Sequence, residues 1–133
     1  GGAELDASLL QMSNVRFLAY DDPRLLATVE AIERGLTADG WVRRYHSDFI
    51  GQTEVAFTIC TFWLVEALAH GGRVRHAREL LDRVRAMRAP LGLMSEDYDP
   101  KTQRMWGNFP QAYSHVGMIQ AAFAASPAWY EVA

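Results

Sequence analysis

The sequence has 133 residues, half of them apolar and 22% charged, with a net charge of −3. That is about one domain's length with an ordinary globular balance, and it shows no basic excess that would make nucleic acid a general partner. No apolar run approaches the roughly 20 residues needed to span a bilayer, so no membrane association is expected. Cys60 is the sole cysteine and lies in an apolar run, which excludes an intrachain disulfide and reads as a buried, inert thiol.

Five helices are predicted. The first covers about Glu4 to Leu18. The second begins at Asp22-Pro23, an N-cap followed by proline at the first helical position, and ends near Leu36. The third runs from about Glu54 to His70, where Gly71-Gly72 stop it. The fourth runs from about Val74 to Arg88. The fifth starts at Pro110 and ends near Ala125, with Pro127 beyond it.

These helices are of two kinds. The second (Leu25, Leu26, Val29, Ile32, Leu36) and the fourth (Val74, Ala77, Leu80, Leu81, Val84, Met87) are one-sided, with charged backs. The third and fifth are apolar all round, and the first leans that way, so all three are expected to be buried. The order is therefore inner, outer, inner, outer, inner. Inner-to-outer links are short, whereas outer-to-inner links are the long stretches Thr37 to Thr53 and Ala89 to Phe109. Both long loops then emerge on one rim. The expected fold class is all-α, with about five helices, alternating inner and outer, forming part of an (α/α) toroid. An α-solenoid fits less well, because no fixed-period repeat is present.

The first long loop, TADGWVRRYHSDFIGQT, carries Trp41, Arg43, Arg44, Tyr45, His46 and Asp48. Arginine with aromatic rings suits a sugar or planar acid, although a solvated loop with one buried Trp is the plainer account. The second loop holds SEDYDPKTQRMWGNFPQ. Asp99-Pro100 has turn chemistry, and Glu96 to Tyr98 and Arg104 to Trp106 can pair as a short hairpin across it. An EF-hand fails at its Gly and terminal Glu positions, which here are Thr102 and Asn108. His46, His70, His76 and His115 lack ligand spacing, so neither a metal nor a cofactor is expected. By spacing alone Glu96 reads as a cap or turn acid. Glycosidic acid–base work also needs two carboxyls, and Asp48 and Glu54 are the other acids on this rim.

Four stretches, ELDASLL, CTFWLVEAL, SEDYDP and GNFPQAYSHVGMI, together with DDPRLLATVEAIERGL, resemble the C-terminal part of glycoside hydrolase family 15. This is the group of glucoamylases, glucodextranases and bacterial trehalases. The resemblance runs in the family's order over nearly the whole chain. It implies a single domain over 1–133 that forms the C-terminal portion of an (α/α)6 glycosidase domain. It implies hydrolysis of α-glucosidic bonds with inversion, one Glu protonating the leaving oxygen and a second activating water. It implies that Glu96 is that second residue, the general base. Arg44 and Tyr45 match an Arg-Tyr pair that lines the sugar site. Glu54 is carried over as a pocket residue, and Trp63 as one with packing its main role.

The family's general acid lies in an upstream Trp-Glu segment that this sequence does not contain. The expectation is a fragment, inactive alone, that associates with itself or with the missing half of the barrel and takes an α-glucoside or oligosaccharide as substrate. The opening GGAELDAS has no basic n-region, so a cytoplasmic location is expected. The alternative is a non-catalytic helical scaffold, or a carbohydrate- or protein-binding module, that keeps the rim without the chemistry.

Overall fold

The structure, a computed structural model, describes residues 4–48, 51–52 and 55–128. Helix α1 (Pro23–Leu36) starts where Asp22 accepts a hydrogen bond from the Arg24 N–H at 2.9 Å, with Pro23 in its first turn. It buries Leu25, Val29, Ile32 and Leu36, a single helical stripe. Helix α3 (Val74–Ala86) does the same with Ala77, Leu80, Leu81 and Val84, leaving its arginines outward. Helix α2 (Thr58–His70) is the centre of the molecule, with Phe62 and Val65 at 0% exposure. It packs against α1, α3, α4 (Ala112–Ala125) and the opening turn.

The first predicted helix is not an α-helix. A short 3-10 turn, Ala7–Gln11, is capped by Asp6, whose side chain accepts from the Ser8 N–H at 2.8 Å. The chain then leaves helical geometry. The Asn14 amide bonds Gln11 and Glu66, the Tyr20 hydroxyl donates back to Asn14, and Arg16 adopts a left-handed φ of 59°. Short polar side chains such as Ser13-Asn14 offer the backbone alternatives to a helix, and here tertiary partners accept the offer.

The fold is also not purely all-α. Among the described residues there are four α-helices and three small antiparallel sheets. Both long loops are built on hairpins. Strands β1 (Thr37–Ala38) and β2 (Trp41–Val42) close over Asp39 and Gly40, with φ of 52° and 84°. Positive φ at both turn residues is what a two-residue Asp-Gly hairpin requires. The Arg83 guanidinium donates to the Asp39 carbonyl at 3.0 Å and fills the space a Gly40 Cβ would need. Strands β3 (Ser47–Asp48) and β4 (Gly51–Gln52) form a second ribbon. Strand β5 (Ala56–Phe57) joins β6 (Asp97–Asp99) and β7 (Arg104–Trp106) in the order β5-β6-β7. The predicted Asp99-Pro100 turn is present, and the strand before it lies one residue later than expected.

Strand β5 explains why α2 begins at Thr58 rather than near Glu54. Val55 to Phe57 suit a pleated surface, and β6 supplies hydrogen-bond partners that an isolated sequence pattern cannot show.

Helix α4 departs from the all-round burial expected of it. Its small residues Ser114, Gly117, Ala121 and Ala125 form the buried stripe. Tyr113, Val116, Ile119 and Phe123 remain about half exposed or more. The cause is close approach: a Cβ on Gly117 would come within 3.2 Å of the Phe62 side chain, and nearer still to Ile59. Small residues bring the two helices together, and the large ones are left on the far side.

Candidate functional site

The segment Met94-Ser95-Glu96 is tied into the core from several sides. Met94 and Ser95 are fully buried. The Gln111 N–H donates to the Met94 carbonyl at 2.9 Å, and the buried Ser114 hydroxyl donates to the Ser95 carbonyl at 2.8 Å. The Met94 N–H donates to His115 Nε2 at 3.3 Å, while His115 Nδ1 lies 2.7 Å from the Gln111 carbonyl. That pair of contacts requires the neutral ring with its proton on Nδ1. The first turn of α4 therefore fixes the segment that carries Glu96, just ahead of β6. Helix α2 does so too, because its first N–H, at Thr58, donates to the Glu96 carbonyl at 2.9 Å. A helix start without a side-chain cap thus finds an acceptor in this segment.

Beyond Glu96 the chain makes the hairpin and returns through Gly107 and Asn108. The Glu96 N–H donates to the Asn108 carbonyl at 2.9 Å. In return, the Asn108 backbone and side-chain N–H groups donate to Glu96 Oε2 at 3.1 and 2.9 Å. Gly107 has a φ of 73°, and a Cβ there would meet Glu96 Oε2 at 2.8 Å and Asp97 Oδ2 at 3.0 Å. Only glycine suits both the backbone and the space. Glu96 Oε1 has no hydrogen-bond partner among the described residues.

Asp97 stands beside this carboxylate. Burial, followed by the Glu96 charge, pushes its pKa from 3.8 up to about 6. A raised acid pKa means the folded state holds the proton more tightly, so its contribution to stability is present below pH 3.8 and is lost as pH rises through about 6. Asp97→Asn is expected to remove that loss, stabilising the chain at pH 7.5 relative to pH 3.8 by about 1 kcal/mol once solvent screening of a half-exposed group is allowed for. Urea unfolding of both proteins at the two pH values checks this. An identical pH dependence would refute it.

The first loop builds the other half of the candidate site. Arg44 Nε donates to Asp6 Oδ1 at 2.5 Å and Nη2 to Oδ2 at 3.3 Å. Burial raises the Asp6 pKa, but the hydrogen bonds from Arg44 and Ser8 outweigh it and hold the carboxyl below its usual range. The Arg44 guanidinium lies 5.7 Å from the Tyr45 ring centre and 5.8 Å from that of Trp63. Trp63 in turn meets Tyr113 edge-on at 6.1 Å. Arg44, Tyr45 and Trp63 are therefore brought together, with Asp6 as a partner that spacing in the sequence did not announce.

The two halves meet over the start of α2. Trp41 stacks at 4.3 Å on Tyr98 of β6, and the Val42 N–H donates to the Thr61 hydroxyl at 3.0 Å. Burial pushes the Cys60 thiol up to about 12, with Arg44 opposing that rise and Asp6 and Asp97 adding to it. No hydrogen bond or ion pair joins Arg44 to Glu96 among the described residues. Glu54 lies outside the described residues. Among those described, no three His, Cys, Asp or Glu side chains form a group able to hold a metal ion.

In chemical terms the arrangement is a carboxylate with one oxygen held by two donors and the other without a partner among the described residues, and, in the other half, an arginine–aromatic cluster. The first can accept a proton, and the second can grip hydroxyls and an apolar ring face.

The chain is 46% identical over 125 residues to a trehalase of Mycolicibacterium smegmatis, covering 91% of this chain and 19% of that protein. It is 39% identical over 124 residues to a trehalase of Thermoplasma volcanium, covering 92% of this chain and 20% of that protein. It thus spans about a fifth of the length of these curated relatives. In fold it matches a solved glycosidase with a TM-score of 0.79 at 22% identity, over 94% of this chain and 37% of that one. A glycosidase variant solved in complex with glucose gives the same TM-score of 0.79, coverage and identity. Residues 1–123 match the family described as glycosyl hydrolases family 15, and the chain belongs to that family.

Proposed function

We propose that this chain is the C-terminal, base-bearing part of an inverting α-glucoside hydrolase, and that trehalose is its substrate. The observation that carries the reading is Glu96: Oε2 is held by Asn108, Oε1 has no partner among the described residues, and the residue stands where the family resemblance puts the general base. Water would lose a proton to Glu96 as its oxygen bonds the anomeric carbon. The glycosidic C–O bond breaks as a second carboxyl, outside this chain, protonates the leaving oxygen. Arg44 and Tyr45 would contact sugar hydroxyls, with Arg44 oriented by Asp6 and backed by Trp63. The trehalase relatives support the choice of substrate.

The proposal extends to architecture. In an (α/α)6 toroid, the remainder of the domain covers the apolar face of α4. That face includes a cleft of about 380 Å³ lined by Met118, Ile119, Ala122 and Phe123, with Arg85 and Arg88 on its rim. Contiguous exposed apolar surface of this kind marks an interface.

The test compares the full-length protein with this chain alone, both given trehalose. Inversion delivers one β- and one α-glucose from each trehalose before mutarotation, read by proton NMR. The isolated chain should release no glucose and should scatter light as more than a monomer. Two α-glucose molecules would overturn inversion. Glucose release by the isolated chain would overturn its dependence on a second carboxyl elsewhere, and a clean monomer would count against the interface.

A further inference from the structure

The hydrogen bonds between Glu96 and Asn108 are reciprocal. One backbone N–H goes out from Glu96 to the Asn108 carbonyl at 2.9 Å, and two N–H groups come back to a single carboxylate oxygen at 3.1 and 2.9 Å. Both returning donors choose Oε2. The turn that makes this possible is Gly107, with its φ of 73° and no room for a Cβ against the same oxygen. The Met94–Ser95 segment before Glu96 is held by the buried Ser114 and by Gln111. A carboxylate on a flexible three-bond side chain ordinarily presents either oxygen to a reactant. Here one oxygen is occupied and the rotation of the group is set.

We propose that Asn108 is the positioning residue of this site, selecting Oε1 of Glu96 as the single atom that takes the proton from water. This rests on the reading of Glu96 as general base. Asn108 touches no reacting atom. It acts by holding the carboxylate plane, and so the direction from which water is deprotonated. An anionic acceptor bonded by two N–H donors is held more firmly than one bonded by a single neutral partner. The geometric tolerance of such proton transfers is narrow, and a displacement of about 1 Å costs on the order of 100-fold in rate.

The experiment uses the full-length protein with trehalose as probe and three variants. Asn108→Ala is expected to lower kcat by about 10- to 100-fold with KM nearly unchanged, because binding residues are untouched while the base is loosened. Asn108→Asp is nearly isosteric. Ionised, its carboxyl cannot donate to Oε2 and repels it, whereas protonated, its O–H can donate as the amide did. Its activity relative to wild type should therefore rise as pH falls, a signature that a merely structural role would not produce. If Asn108→Ala fails to fold, the pH profile of Asn108→Asp decides alone. Glu96→Gln is the control that separates the two claims. Full rate in Glu96→Gln would overturn the base assignment, and this proposal with it. A dead Glu96→Gln beside wild-type kcat in Asn108→Ala, or beside a wild-type pH profile in Asn108→Asp, would overturn the positioning role alone.

Discussion

Glu96→Gln in the full-length protein is expected to lower kcat on trehalose by about 10²- to 10⁴-fold, the usual contribution of a positioned general base. The substitution is nearly isosteric, and the structure says how it would settle. The two Asn108 donors, at 3.1 and 2.9 Å, would select the amide oxygen, leaving the amide nitrogen where Oε1 stood. The loop keeps its shape, because the Glu96 backbone bonds to Asn108 and Thr58 do not involve the side chain. What is lost is the ability to accept a proton. KM should therefore move little while kcat falls, which distinguishes loss of chemistry from loss of binding. Steady-state kinetics with trehalose, beside direct titration of binding to the variant, provides the check. A variant within tenfold of wild type would end the case for Glu96 as the base.

Phe62→Ala should cost about 3–5 kcal/mol in stability, the range for truncating a buried aromatic side chain. Phe62 is 0% exposed at the centre of α2, with Gly117 of α4 packed on its ring side. The large-to-small change leaves a void where two backbones already approach closely, so neither helix can move in to fill it. In a domain of this size that loss lowers the melting temperature by about 10–20 °C. Thermal and urea unfolding of the 133-residue chain measure it. A cost under about 1 kcal/mol would mean that the site can collapse, and that the α2–α4 contact is not the tight seam described. Because α4 and its N-cap Gln111 also carry the groups that hold the Met94–Glu96 segment, among them Ser114 and His115, the full-length protein with this substitution should lose activity before it unfolds.

Much of this molecule was legible in its residues. The Asp22-Pro23 cap, the Leu25–Val29–Ile32–Leu36 stripe and the arginine-backed α3 follow from local rules that need no partner. So does the Asp99-Pro100 turn, where Asp99 accepts from the Lys101 N–H at 2.9 Å and from the Thr102 hydroxyl at 2.6 Å. The family was legible too, through SEDYDP and GNFPQAYSH. Asp39-Gly40 carried a hairpin signal that reading the stretch as one long loop passed over.

Other features had no local signal. Ala7–Gln11 is a 3-10 turn because Asn14 and Tyr20 find partners elsewhere, Glu66 among them, 52 residues on. Ala56 and Phe57 became strand because β6 arrived beside them. The all-round apolar pattern of α4 could not say which side would meet α2. That was decided by close packing at Gly117, and it left Ile119 and Phe123 outward. The same division runs through the site. The family resemblance named Glu96 and Arg44 as candidates, whereas spacing alone read Glu96 as a cap or turn acid. Their partners, Asn108 and Asp6, lie 12 and 38 residues away along the chain. A hydrogen bond across such a separation depends on where the whole backbone goes, so only the tertiary structure could pair them.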